Sequence, residues 1–188
     1  NGNVREYIFK TCFSDSFQGV TMANFAYKDL GLKNAAILFD NTSDYAKGLM
    51  KSFKETYPEL GGSILVEEAY QAKDTDFKAV LTNIKAANPE VIYVPGYYEE
   101  VGLIVKQARE LGLDVPILGG DGYDSPKMAE IADAKSLEKV YYTNHYSPMD
   151  DADEVVKFRE GFLSKYGKEA DAFNALGYDL AYFLVDAI

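Results

Sequence analysis

Three apolar runs in this 188-residue chain end in residues that could do chemistry. Ala35–Phe39 runs into Asp40, with Tyr45 close behind. Val91–Val94 runs into Gly96-Tyr97-Tyr98, and Val115–Leu118 into Gly119-Gly120-Asp121-Gly122-Tyr123. If these runs are strands of one open parallel sheet, their ends share the edge where such sheets bind ligands. The chemistry available there is recognition. An ammonium group leaving water needs an ionised partner and further acceptors. Asp121 supplies the charge, and its flanking glycines would let a ligand come close. Tyr45 and Tyr97 supply flat walls, each with a hydroxyl and a face suited to a cation. The expectation is a pocket for a small cationic or zwitterionic molecule. Each residue also has a plainer reading: Asp121 as the turn former of Gly-Asp-Gly, and Tyr97-Tyr98 as one core and one surface ring.

Catalysis finds little to work with. The chain holds one histidine, His145, and one cysteine, Cys12. Intrachain disulfides, cysteine zinc clusters and His/His metal pairs are excluded, and nucleophilic triads have very few ways to form. Cys12 lies in the apolar stretch Tyr7–Phe13 and reads as a buried, inert thiol. No G-x-G-x-x-G, Walker or G-x-S-x-G motif occurs. Gly119-Gly120-Asp121-Gly122 lacks the long phosphate-capping helix behind it, because Pro126 and a short segment follow. Asp40, Asp44 and Asp121 could imitate a phosphoaccepting receiver domain, but no lysine ends a strand. No catalytic residue, metal or cofactor is expected. A net charge of -11, from 19 basic and 30 acidic residues, argues against nucleic acid and against anionic membrane surfaces. No apolar run reaches the length of a membrane span. The start at Asn1, with neither Met nor a leader-type apolar segment, reads as a piece of a longer or processed protein.

The elements that must position these residues alternate. Apolar, β-branched runs begin near residues 35, 63, 91, 115 and 139, with amphipathic stretches between the first four, which predicts an α/β fold with a parallel sheet covered on both faces. A strand over Glu6–Cys12 and a helix over Ser16–Leu30 should precede them. Ala46, Leu49, Met50, Phe53 and Tyr57 repeat at helical spacing behind a cap at Thr42 or Ser43. Phe77, Val80, Leu81 and Ile84 repeat it behind a cap at Asp74 or Thr75, and Val101, Ile104, Val105, Ala108 and Leu111 repeat it again. Gly31, Gly61 and Gly112 mark helix ends. After Tyr146 the rhythm changes to two helices, Ala152–Tyr166 and Ala172–Ile188, whose apolar surface exceeds what one neighbour can cover.

The run Tyr93 to Gly102, the segment Gln107 to Gly112 and Gly119-Gly120-Asp121-Gly122 together resemble the periplasmic leucine/isoleucine/valine-binding protein family of ABC transporters. Asp40 to Tyr45 with Gly48-Leu49, and Ser14 to Gly19, resemble the same family, over a span from about Phe9 to the C-terminus. The resemblance implies a flavodoxin-like lobe of a two-lobed, hinge-closing type I binding protein. On it, residues 1–8 end the first lobe, 9–144 form the second, and 145–188 carry a crossover and two helices of the first. It implies that Asp121 pairs with a ligand α-ammonium, and that Tyr45 and Tyr97 line the same pocket. It also implies that the partners are an amino acid, branched-chain or otherwise aliphatic, and a membrane permease, in an extracytoplasmic compartment. A ligand-sensing domain of a regulator or receptor would share the architecture, and a flavodoxin-like enzyme would show a flavin or metal. The isolated chain is expected to form a homodimer through residues 152–188.

Overall fold

The computed structural model describes residues 7–188, which divide into two compact units: Ser14–Asn144, and the described residues up to Phe13 together with His145–Ile188.

The first unit is built on five parallel strands, β1 (Asn34–Asp40), β2 (Ser63–Tyr70), β3 (Val91–Tyr93), β4 (Ile117–Gly119) and β5 (Val140–Tyr142), in the order β2-β1-β3-β4-β5. Helices α1 (Asp15–Asn24), α2 (Asp44–Glu59), α3 (Lys78–Ala87), α4 (Tyr98–Glu110) and α5 (Pro126–Ala132) lie between and before them. Because side chains alternate along a strand, the sheet feeds two cores. Ala35, Ile37, Val91, Tyr93 and Leu118 pack on Met22 and Ala23 of α1 and on Leu49, Phe53 and Tyr57 of α2. Ala36, Leu38, Ile92 and Ile117 face the other way, onto Leu81 and Ile84 of α3, Val101, Ile104 and Val105 of α4, and Met128 of α5. The expected parallel sheet with helices on both faces is therefore the fold of this unit.

Three local expectations are corrected. Glu6 lies outside the described residues, and Tyr7–Cys12 form no strand; Cys12 is half-buried rather than enclosed. The first helix does not run unbroken to Leu30. It widens at Phe25–Asp29 into a π-helical turn, with the Leu30 amide donating to the Phe25 carbonyl at 3.0 Å. Neither Asp74 nor Thr75 caps α3. Its N-cap is Phe77, whose amide donates to Gln107 Oε1 at 2.8 Å, while Gln107 Nε2 donates to the Thr75 carbonyl at 2.9 Å. A side chain of α4 thus holds the N-cap residue, while the first helical amide, Lys78, donates to Asp76 Oδ1 at 3.0 Å. Arg109 is likewise structural, donating to the carbonyls of Leu113, Val115, Ser136 and Glu138 around the starts of β4 and β5.

In the second unit, α6 (Asp153–Tyr166) ends at Gly167, whose φ of 68° suits glycine, and α7 (Ala172–Ala187) starts with a reciprocal Asp171/Asn174 capping box. The helices meet through Phe158 and Tyr178, with ring centroids 5.0 Å apart, and Phe9 packs edge-on against Phe183. The Phe13 ring stacks on His145 at 3.4 Å. Ala172 is the one buried residue within these two helices, and Tyr166, Tyr178, Tyr182, Phe183 and Val185 are all exposed.

The tightest helix contact in the first unit is at Gly19. A Cβ there would lie 2.5 Å from the Leu49 carbonyl and 2.9 Å from the Phe53 amide, both backbone atoms of α2. Gly19→Ala must therefore push α1 off α2, and it is expected to lower stability by about 1–3 kcal/mol. Urea unfolding checks this; an unchanged midpoint would mean the helices separate without cost.

Candidate ligand-binding site

Asp40, Tyr97 and Asp121 follow the carboxyl ends of β1, β3 and β4, which are neighbours in the sheet, so all three lie at one edge. Tyr45 reaches that edge from the first turn of α2, where the Ser43 hydroxyl accepts the Ala46 amide at 3.2 Å. Tyr97 is the N-cap residue of α4. Asp121 opens a 3₁₀ turn, Asp121–Tyr123, pinned from beneath by the buried Tyr123 hydroxyl, which donates to the Val94 carbonyl at 2.6 Å.

These side chains converge. The Tyr45 hydroxyl donates to Asp121 Oδ1 at 2.7 Å and accepts the Gly122 amide at 3.1 Å. The Tyr45 and Tyr97 rings stack, centroids 5.0 Å apart with an interplanar angle of 28°. Tyr97 stays 42% exposed, so the stack shows one aromatic face to solvent beside the carboxylate. Asp40 shares the edge but turns back. Its buried carboxylate accepts the Thr42 amide at 2.8 Å and hydroxyl at 2.6 Å, shaping the turn into α2.

Gln18 and Thr143 join the arrangement although their residue types had not singled them out. Gln18, buried on α1, donates from Nε2 to Asp121 Oδ1 at 3.0 Å and accepts the Asp121 amide at Oε1, also at 3.0 Å. The Thr143 hydroxyl, just past β5, donates to the same Oε1 at 2.6 Å. A signal for Gln18 did exist: it stands four residues before Met22 on the buried face of an amphipathic helix, where an amide needs a polar partner. The glycines around Asp121 are also packed closely by the site's own atoms. A Cβ on Gly120 would meet the Tyr45 hydroxyl at 2.5 Å and Gln18 Oε1 at 2.8 Å, and one on Gly122 would meet the Gly96 carbonyl at 2.6 Å. Gly120 makes room for the Tyr45 and Gln18 side chains, and Gly122 for the Gly96 carbonyl.

The electrostatics follow from this packing. Burial first, and the Asp121 charge second, hold the Tyr45 phenol far above its ordinary value; the same two causes raise Tyr97 less. Burial also raises Tyr70, Tyr93 and Tyr123, and it pushes Tyr57 and Tyr142 up to about 12. A phenol raised in the folded state keeps its proton where the unfolded chain, with an ordinary value of 10.0, has lost it. The stabilising difference is complete below that value and is lost as pH rises above it. Stability should hold up to about pH 10 and fall steeply beyond. Absorbance at 295 nm followed with circular dichroism checks this: the buried tyrosines should ionise only together with loss of the fold. Ionisation of all 15 tyrosines near pH 10 with the fold intact would contradict it.

Among the described residues no cluster of His, Cys, Asp and Glu is arranged to hold a metal ion, and no helix is long and apolar enough to cross a membrane. The chain matches the family described as "Periplasmic binding protein" over residues 1–188. It is 31% identical over 182 residues to Leu/Ile/Val-binding protein homolog 2 of Brucella abortus, covering 95% of this chain and 47% of that protein. It is 34% identical over 128 residues to the leucine-, isoleucine-, valine-, threonine- and alanine-binding protein of Pseudomonas aeruginosa, covering 66% and 33%. The chain thus spans less than half the length of these curated relatives. Among solved structures it is similar to the leucine-binding protein LivK of Thermotoga maritima, with a TM-score of 0.91 and 44% identity over 98% of this chain and 52% of that one. It is also similar to LivJ of Streptococcus pneumoniae, solved with isoleucine, with a TM-score of 0.90 and 38% identity over 96% and 51%. The matching sequence, the parallel-sheet lobe and these neighbours agree: the chain belongs to the periplasmic binding protein family.

Proposed function

We propose that this chain supplies the ammonium-anchoring lobe of an extracytoplasmic solute-binding protein. That protein captures an amino acid, of the branched-chain or another aliphatic class, for the permease of an ABC transporter. The observation that carries this reading is the juxtaposition of a half-buried carboxylate, Asp121, with the stacked Tyr45 and Tyr97 rings at one sheet edge. A carboxylate beside aromatic faces suits an ammonium group with an apolar body attached. The names of LivK and LivJ point to the same ligand class. The event is capture, not catalysis: Asp121 pairs with the α-ammonium, Tyr45 holds the carboxylate in place, and Tyr97 covers the ligand from the solvent side. Closure then follows from contacts made better in the closed state than in the open one. On this reading residues 14–144 form one lobe, and the described residues up to Phe13 belong with 145–188 to the other, five residues later at the first crossing than the expected boundary at residue 9.

Asp121→Asn in the full-length protein removes one member of a desolvated charge pair, a loss on the order of 3–5 kcal/mol. Titration calorimetry with L-leucine, L-isoleucine and L-valine should show affinity falling by more than a hundredfold. A change below tenfold would remove Asp121 as the anchor.

Exposed Tyr166, Phe173, Tyr178, Tyr182 and Phe183 leave α6 and α7 with apolar surface to cover. Taken alone, this chain should therefore self-associate through residues 152–188, since large exposed apolar patches find partners. Sedimentation of the chain beside a version ending at residue 147 tests it. If both are monomers at high micromolar concentration, these helices do not drive association.

A further inference from the structure

Gln18 and Thr143 stand beside the two places where the chain enters and leaves the unit that holds the site. Gln18 is four residues past Ser14, the first residue of that unit, and Thr143 is one residue before Asn144, its last. The hydrogen bond between them, 2.6 Å long, ties the two segments side by side. One residue beyond each boundary, Phe13 and His145 stack ring on ring. The incoming and outgoing segments are thus fastened to each other both before and after they cross.

Asp121 itself sets which way the Gln18 amide points, and Thr143 adds a second donor to the oxygen so placed. The Asp121 backbone amide can only donate, and it lies 3.0 Å from Oε1. The Thr143 hydroxyl gives its proton to that same oxygen. With two donors on one side, the oxygen is held there and the NH₂ group must face Asp121 Oδ1. A flipped amide would set NH₂ against the Asp121 amide and an oxygen against the carboxylate. A hydroxyl at the chain's exit therefore reinforces the orientation that Asp121 dictates.

We propose that Gln18 and Thr143 are positioning residues: they orient the Asp121 carboxylate for the ligand ammonium and couple its placement to the spacing of the two crossing segments. The proposal rests on Asp121 as the anchor of a solute-binding site. Its mechanical part concerns the ligand-free protein and stands independently. If the crossing segments separate, Thr143 leaves Oε1, the Gln18 amide keeps one fewer tether, and the clamp it forms on Asp121 loosens. Coupling of this kind runs both ways, so ligand held on Asp121 favours the spacing that keeps the bond closed.

The test uses the full-length protein and two variants, Thr143→Val, which keeps the shape, and Gln18→Leu. In the ligand-free state, amide hydrogen exchange by NMR should be faster by about tenfold or more at Asp121 in both variants, with the β1 amides unchanged. An Asp121 amide that stays protected in Thr143→Val and Gln18→Leu overturns the proposal, and Thr143→Val alone decides if Gln18→Leu does not fold. In calorimetry with L-leucine, each variant should weaken binding several-fold, and Gln18→Leu should add no further loss in an Asp121→Asn background. Additive losses would make Gln18 a structural residue only and sink the idea. Failure of the unaltered protein to bind L-leucine, L-isoleucine or L-valine would count against the solute reading, while the exchange measurement would still decide whether Gln18 and Thr143 hold Asp121.

Discussion

Asp121 Oδ1 receives the Tyr45 hydroxyl and the Gln18 amide at once, and the Asp121 backbone amide returns a bond to Gln18. A carboxylate leaving water requires donors of this kind. They hold the charge in one place, so the carboxylate is ordered by the chain's own groups. Much else in the first unit follows from bringing these donors together. Helix α2 must start close behind β1 to present Tyr45, and α1 must lie close on α2 to present Gln18. That close approach is why position 19 has no side chain.

The parallel sheet makes the convergence possible. Strands running the same way release their following segments at the same edge, so residues far apart in sequence meet there without long loops. The helices then take the remaining burial. The sheet's two faces are each covered by an apolar layer, so the edge is the place left for polar groups to gather. Tyr93 shows how near the boundary lies. It ends β3 fully buried, stacked on Phe53 with centroids 4.2 Å apart, while Tyr97, four residues later, is partly in solvent.

Most of this architecture was legible because its causes are local. Strand alternation, helical spacing at Leu49, Phe53 and Tyr57, and glycines at positions 31, 61 and 112 with positive φ all express short-range sterics and periodicity. Tyr45, Tyr97 and Asp121 were legible as strand-end residues, and the structure brings them into contact. What escaped was satisfied at long range. The start of α3 takes one partner from Asp76 nearby and another from Gln107, thirty positions from Phe77. The π turn at Phe25, with Ala26 buried in the core and Tyr27 packed against it, had no counterpart in the helical spacing read from the sequence. Gln18 and Thr143 are ordinary residue types whose importance comes only from being beside Asp121.

The site's bonds also have a kinetic side. Tyr45 to Asp121 closes 76 residues of chain, Gln18 to Asp121 closes 103, and Thr143 to Gln18 closes 125. Contacts of such sequence separation form only after nearer ones have reduced the entropy of closing the loop. β5 is an edge strand paired with β4 alone, and the segment carrying Thr143 can settle only once that pairing exists. The anchor should therefore be among the last features to assemble. A chain with most of its sheet in place but its final strand undocked would have the helices and cores of the native unit and a Gln18 amide without its Thr143 bond. The arrangement around Asp121 is thus complete only when the last strand of the unit has docked.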